Sequence, residues 1–342
     1  MANRASRSRP TRPAAVASVL AAAACLLWQA TAAPAAPPPP SAPDAANGAI
    51  QPPGPSLLPP SRPWDAVLVA SFNIQVFGET KVAKPQVVEV LARIVRQFDI
   101  VAIQEVRSKS DSVIPSFVRA VNADGSRYHW VIGPREGRTV SKEQYCFLYD
   151  TNRIEIDAGS IGVVPDPAGK LHRPPMHARF RTRVIPEAMA FTFWLVDIHT
   201  DPDEVPQEID ALADVFEAMR TLRADEDDVI LLGDLNAGPP QFARLGRMPG
   251  AAWAVAGVTT NTHRTKTYDN LIFDRFATAE YLGRWGVLDM QSTFGLPLDR
   301  ALEVSDHNPV WAAFHPCEAP PARTPGPRAP AGIAGGPAAV AR

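Results

Sequence analysis

VILLGDLNAG, residues 229–238, is the stretch on which the reading of this chain turns. The aliphatic run Val229 to Leu232 reads as a core strand of a sheet, and it stops at Gly233. Asp234 and Asn236 then stand two residues apart, so they leave the strand end on the same side. A carboxylate beside a carboxamide at such a place suits a metal-assisted or phosphate-binding site. A plain turn is the other reading, because Gly, Asn and Asp are turn formers. The rest of the chain has to decide.

Working outward, the same pattern recurs. AVLVASFNI (66–74) carries Asn73 near its end, and DIVAIQEV (99–106) carries Glu105. QYCFLYD (144–150) follows Glu143, and FTFWLVDIHT (191–200) carries His199. YDNLIF (268–273) has Asp269 near its start, and SDHNPVWAAF (305–314) opens with Asp306 and His307. Each has an ordinary alternative when taken alone: a solvated strand end for Glu105, a hydrogen-bonded core histidine for His199, a turn for Asp306 to Pro309. Those alternatives leave the coincidence of position unexplained. Two helices are expected, one over 85–97 with Pro85 at its start and one over 203–222 with an apolar face running from Val205 to Leu222. Many strands, few helices and polar residues at strand ends predict two packed sheets with helices outside. The polar residues would gather along one edge.

Composition limits the folded part. Residues 1–63 and 317–342 hold 20 of the 36 prolines, in tracts such as APAAPPPPSAPDAA that bury too little apolar surface to offset chain entropy. They are expected to be a linker (33–63) and a tail (317–342) around one domain, 64–316. Arg4, Arg7, Arg9 and Arg12, the apolar run Ala14–Trp28 and then Ala30-Thr31-Ala32 follow the order of a secretory signal over 1–32. Export to the periplasm or the exterior is expected, with lipid attachment at Cys25 as the lesser alternative. The apolar run is short for a membrane span, so no transmembrane segment is expected after cleavage. Cys146 and Cys317 form no disulfide framework, and no spacing suggests zinc. Five arginines against Asp44 lie in 1–63 and three against Glu318 in 317–342, which leaves 26 basic and 34 acidic residues between, a net charge of −8. A protein living by bulk attraction to nucleic acid is excluded by that balance; an enzyme holding a cation with its carboxylates is not.

SFNIQVFGETK, IQEVR, SKEQYCFLYD, DIHTDP, GDLNAG, TYDNLIF and SDHNPV occur in an order and spacing that resembles the endonuclease/exonuclease/phosphatase superfamily, most closely its deoxyribonuclease I branch. The resemblance spans Val67 to Phe314. It implies an α/β fold, a four-layer sandwich of two mixed sheets flanked by helices, with the site at one edge. It also implies a phosphodiester hydrolase, with DNA as substrate, as a monomer with no stable protein partner.

The resemblance assigns roles that the chemistry can use. Phosphodiester cleavage needs an activated water, neutralised phosphoryl oxygens and a proton for the leaving oxygen. Glu105 and Asn73 are the leading ligands for Mg2+, with Mn2+ as the alternative, and Asp306 and Asp234 are candidates for a second position. His199 and His307 are the proton-transfer pair, oriented by Glu143 and Asp269. Asp234 and Asn236 would meet the scissile phosphate, and Arg107, Arg173 and Tyr268 would contact substrate. His307 is favoured as base and His199 as acid.

The chain departs from the branch in several places. Ser141 and Gln75 stand where groove-contacting residues are expected, and the two family disulfides are missing. The loop 158–172 and Val258 lack expected calcium ligands, so calcium is not expected to be needed for folding. A phospholipid such as sphingomyelin remains the alternative substrate, and a catalytically dead binding module the alternative class.

Overall fold

The computed structural model of the chain describes residues 62–319. The expected signal peptide, nearly all of the linker and the tail beyond Ala319 lie outside the described residues. In chain order the strands are β1 (Val67–Phe77), β2 (Ile100–Val106), β3 (Tyr128–Ile132), β4 (Gln144–Asp150), β5 (Ile154–Val163) and β6 (Met176–Thr182). They continue as β7 (Thr192–His199), β8 (Val229–Asp234), β9 (Ala251–Trp253), β10 (Asp269–Asp274), β11 (Tyr281–Val287) and β12 (Val310–Phe314). The helices are α1 (Glu79–Val82), α2 (Pro85–Val95), α3 (Val113–Val121), α4 (Val205–Arg220), α5 (Ala243–Gly246), α6 (Met290–Phe294) and α7 (Leu298–Val304).

The strands make two six-stranded sheets, ordered β11-β12-β1-β2-β4-β3 and β5-β6-β7-β8-β10-β9. Each has one parallel pair at its centre, β1 with β2 and β7 with β8, and antiparallel neighbours on either side. A parallel pair needs a crossover, and α2 and α4 supply the two crossovers.

Alternation along the central strands builds the layers. Ile230 and Leu232 of β8 face the other sheet, where they join Val67, Val69, Ile100 and Ala102. Val229 and Leu231 face away, against Ile209, Leu212 and Phe216 of α4. On the other side Leu68 and Ala70 of β1 pack against Leu91 and Ile94 of α2 and Val118 of α3. The aliphatic run at 229–232 is therefore buried on both faces, which is why it shows no polar alternation. Helix, sheet, sheet and helix make the four-layer α/β sandwich that the motifs imply.

Two local expectations are corrected. Helix α4 ends at Arg220, and Leu222 is 51% exposed instead of completing the apolar face. The Thr221 hydroxyl donates to Glu217 O (3.1 Å) and Ala218 O (3.2 Å), a local bond at the point where the helix ends. The limits 64 and 316 are also too narrow. Arg62 Nε donates to Asp99 Oδ1 (2.9 Å), and Glu318 Oε1 accepts from Thr192 N (2.9 Å), so both residues belong to the folded unit. Cys146 and Cys317 are free, as expected.

Candidate active site

Strand direction gathers the polar residues. β1, β2, β7 and β8 reach one edge of the sandwich with their carboxyl ends, which brings Asn73, Glu105, His199 and Asp234 there. β4, β10 and β12 run antiparallel to them and start at that edge, which brings Glu143, Asp269 and His307. In the ladders Asp234 is the direct partner of His199 on one side and of Asp269 on the other.

Gly233 makes this pairing physically available. Its φ is 147°, and a Cβ there would sit 1.9 Å from the carbonyl oxygen of Ile198. Only glycine lets β8 approach β7 so closely one residue before Asp234. Backbone strain is concentrated at the same edge, with positive φ at Gln75 (47°), Val76 (48°), Glu105 (64°) and Asn236 (47°). The register between β1 and β2 slips between Asn73 and Phe77, which marks a bulge there. The Lys81 ammonium holds this bulge by donating to the carbonyls of Ile74 (3.0 Å) and Gln75, and to Val304 O (3.0 Å).

The centre is the Asp234 carboxylate. Its Oδ2 accepts from Asn73 Nδ2 (3.0 Å) and lies 3.5 Å from His199 Nε2 and 3.4 Å from His307 Nε2. Asn73 Nδ2 also donates to Glu105 Oε1 (3.1 Å), and Glu105 Oε2 accepts from Val76 N (2.8 Å). On the outer side of each ring stands a carboxylate. His199 Nδ1–H donates to Glu143 Oε1 (2.6 Å), and His307 Nδ1–H to Asp269 Oδ2 (2.9 Å). These bonds fix the tautomers, leaving both Nε2 atoms to face the same space.

The charge pattern follows from these neighbours. Burial lowers the His199 pKa, but Glu143 and Asp234 outweigh it and the value lies above that of ordinary histidine. For His307 burial is likewise outweighed, by Asp269 and Asp234, and the pKa is pushed up to about 10. Burial pushes the Glu143 carboxyl up, yet His199, Arg173 and Arg107 hold it below the usual carboxylate range. The neighbouring carboxylates therefore favour the charged form of both imidazoles.

The arginines take places that the motifs did not indicate. Arg173, expected at a substrate phosphate, is 6% exposed; its Nε donates to His199 O (3.0 Å) and its Nη2 to Thr200 O (3.0 Å). It braces the turn after β7, because burying a guanidinium requires that its donors be satisfied. Arg107 lies between Glu105 (3.2 Å) and Glu143 (3.3 Å), at the site but already ion-paired. Asn236 Nδ2 donates to Thr200 O (3.0 Å), while its backbone N donates to Asp234 Oδ1 (2.9 Å). The Tyr268 ring lies 5.8 Å from that of His307. Asp306 is 44% exposed and 4.0 Å from His307 Nε2.

Several supporting groups were not singled out in the sequence. Tyr145 OH accepts from His199 N (2.9 Å), and the Thr260 hydroxyl donates to Asp269 Oδ2 (2.6 Å). The Ser305 hydroxyl donates to Asn73 O (2.7 Å) and accepts from His307 N (3.0 Å). Tyr145 and Ser305 fall inside quoted motifs, but nothing distinguishes Thr260 from other threonines.

The donor set suits a hard cation. It consists of carboxylate oxygens with one carboxamide, and the buried Oδ1 of Asp306 has no hydrogen-bond partner among the described residues. Asp234, Asp269 and His307 offer ligand atoms within 4.8 Å of one another. Within that group Asp269 and His307 are bonded to each other, and Asp234 faces both histidines.

Comparison with known proteins agrees with this geometry. The profile of the Endonuclease/Exonuclease/phosphatase family matches residues 70–326. The chain is 33% identical to Deoxyribonuclease-1-like 1 of Sus scrofa, over 72% of this chain and 80% of that one. It is 31% identical to Deoxyribonuclease-1 of Homo sapiens, over 71% and 90%. Among solved structures, a humanized D. rerio TDP2 superposes with a TM-score of 0.53 at 14% identity, covering 73% of this chain and 99% of that one, which supports the fold alone. The chain belongs to the endonuclease/exonuclease/phosphatase family, in its deoxyribonuclease I-like branch, and is an enzyme of the phosphodiester-hydrolase class.

Proposed function

We propose that the chain is a secreted, divalent-cation-dependent endonuclease that hydrolyses DNA by proton transfer between two histidines. The observation that carries this reading is the convergence of both Nε2 atoms on Asp234 Oδ2, each ring backed by its own carboxylate. The relatives' names, deoxyribonuclease 1 and deoxyribonuclease-1-like 1, support DNA as substrate. The N-terminal order of basic, apolar and small residues supports export.

In this reading a water attacks phosphorus while the bond to O3′ breaks. His307 takes the proton of the attacking water, and His199 gives its proton to the departing O3′, so the products carry 5′-phosphate and 3′-hydroxyl ends. Glu143 and Asp269 hold each ring in place and stabilise its charged form. His307, pushed up to about 10, holds a proton in the free protein, so as base it has to shed that proton first. His307 suits that part because Asp234 and Asp306, which raise its pKa, are also proposed cation holders. Glu105 with Asn73 would hold Mg2+, with Mn2+ as the alternative, and Asp234 with Asp306 a second ion. Such an ion, when bound, supplies positive charge to the phosphoryl oxygens. Arg107 adds a guanidinium beside Glu105, and Asn236 and Tyr268 line the approach.

The test is nicking of supercoiled plasmid in Mg2+ and in EDTA, followed by ligation of the products. Ligatable nicks formed only in Mg2+ support the reading. Nicking that is equal in EDTA contradicts it.

A further inference from the structure

The inward faces of three strands change character at the same depth. On β1 the residues turned toward the other sheet run Val67, Val69 and then Ser71; on β2 they run Ile100, Ala102 and then Gln104. On β7, in the other sheet, Phe193 and Leu195 are followed by Asp197. The earlier members belong to the apolar layer between the sheets. Ser71, Gln104 and Asp197 are polar and fully buried. Each lies one or two residues before a residue of the proposed site, namely Asn73, Glu105 and His199.

The three meet across the sheet interface. Gln104 Nε2 donates to Asp197 Oδ1 (2.5 Å) and to Ser71 Oγ (3.2 Å). No Lys, Arg or His pairs with Asp197 among the described residues. Burial pushes its carboxyl well above the usual carboxylate range, against the bond from Gln104, and so favours the neutral acid. A neutral carboxyl still presents a carbonyl oxygen to the Gln104 amide. An aliphatic side chain would continue the packing of Leu195 without the cost of desolvating a polar group. Packing alone therefore does not account for a carboxyl at this place.

The apolar layer holds the sheets together but is non-directional. The site is split between them: Glu105 and Glu143 come from β2 and the start of β4, His199 and Asp234 from β7 and β8. The bond from His199 Nδ1 to Glu143 (2.6 Å) therefore spans the interface. So do those from His199 N to Tyr145 OH (2.9 Å) and from Asn73 Nδ2 to Asp234 (3.0 Å). Glu143, Asn73 and Asp234 have proposed roles toward proton, cation and phosphate. Gln104 and Asp197 lie one layer behind and have no such second role. Productive geometry tolerates displacements of only about 0.5 Å, which a directional bond between the sheets helps to hold.

We propose that Asp197 is a positioning residue, whose bond with Gln104 sets β7 against β2 and thereby His199 against Glu143 and Glu105. Its effect on rate rests on the two-histidine reading; its effect on the His199 ring does not.

The test uses the full chain as wild type, Asp197→Asn, Gln104→Met and the double variant Gln104→Met/Asp197→Leu. Three properties are measured: melting temperature, kcat and KM for plasmid nicking, and the imidazole nitrogen shifts of His199, assigned by their absence from His199→Ala. Asp197→Asn keeps an acceptor for Gln104 and is expected to match wild type in all three. Gln104→Met leaves a buried carboxyl without its donor and is expected to melt lower. The double variant replaces both partners by apolar groups, so its melting temperature is expected to return toward that of wild type. Its kcat is nonetheless expected to stay down by about tenfold or more, with KM little changed and the His199 shifts displaced. A double variant with wild-type His199 shifts shows a merely structural role and overturns the proposal, as does loss of activity in Asp197→Asn. If the double variant does not fold, Gln104→Met decides by the same shifts. If wild type cleaves no plasmid, the two-histidine reading fails, and the His199 shifts still decide whether Asp197 positions the ring.

Discussion

His199 and His307 face one another across a single oxygen: Asp234 Oδ2 lies 3.5 Å from the Nε2 of the first and 3.4 Å from the Nε2 of the second. Each ring is anchored on its far side by a buried carboxylate, so removal of an imidazole leaves the partner strand in place. His199→Ala and His307→Ala are each expected to fold and to lose plasmid nicking by roughly 10²–10⁴-fold, the usual worth of acid–base catalysis. Initial rates beside a circular dichroism spectrum check this. A variant that nicks at near the wild-type rate removes that histidine from the mechanism.

Glu105 accepts from Asn73 and from Val76 N, both of which an amide at this position would meet differently from a carboxylate. Glu105→Gln keeps the shape and loses the charge that a hard cation favours. The Mg2+ concentration for half-maximal activity is expected to rise by about tenfold or more, with little change in melting temperature in EDTA. An unchanged Mg2+ midpoint and maximal rate would show that Glu105 holds no ion.

The pH dependence of stability follows from His307, which titrates at about 10 in the folded chain against about 6.5 when unfolded. The folded state binds this proton more tightly. The resulting stabilisation is fully present below about pH 6.5 and is lost as pH rises toward about 10. His199 is shifted in the same direction. In EDTA the unfolding free energy of wild type should fall across that window more steeply than that of His307→Gln. Parallel denaturant titrations at several pH values measure the difference, and equal slopes would mean that the Asp269 pair does not hold the proton.

Much of the site was legible because buried strands ending in Asp, Asn, Glu or His break an apolar run visibly, as at Asp234 and His199. The aliphatic faces of α2 and α4 were legible for the same reason. The bulge at Gln75 and Val76 was not, because neither residue is a glycine and the strain is imposed by Lys81 and Glu105 from other elements. Thr260 was invisible because hydroxyl residues occur throughout the chain. Arg173 was expected at a substrate phosphate, and its guanidinium here donates to the carbonyls of His199 and Thr200. A motif shows that a cation is near the site but not which way it points, and this one turns inward to backbone carbonyls.

The arginines also bear on DNA affinity. Arg107 and Arg138 are paired with Glu105 and Glu204, and Arg173 is buried, so these three arginines are already engaged in a domain of net negative charge. Duplex binding should rest on few phosphate contacts. The slope of log affinity against log salt is expected to be shallow, about −2 to −4 at roughly −0.9 per contact. Fluorescence anisotropy across a salt series reads it, and a slope near −9 would reveal a basic surface outside these residues.

The most direct test of the central claim is a comparison of initial rates on supercoiled plasmid, RNA and sphingomyelin by the same preparation in Mg2+. Wild type is expected to nick plasmid fastest, with activity abolished by EDTA and by His307→Ala alike. Faster hydrolysis of sphingomyelin than of plasmid, or plasmid cleavage that survives both EDTA and the loss of His307, would contradict the account.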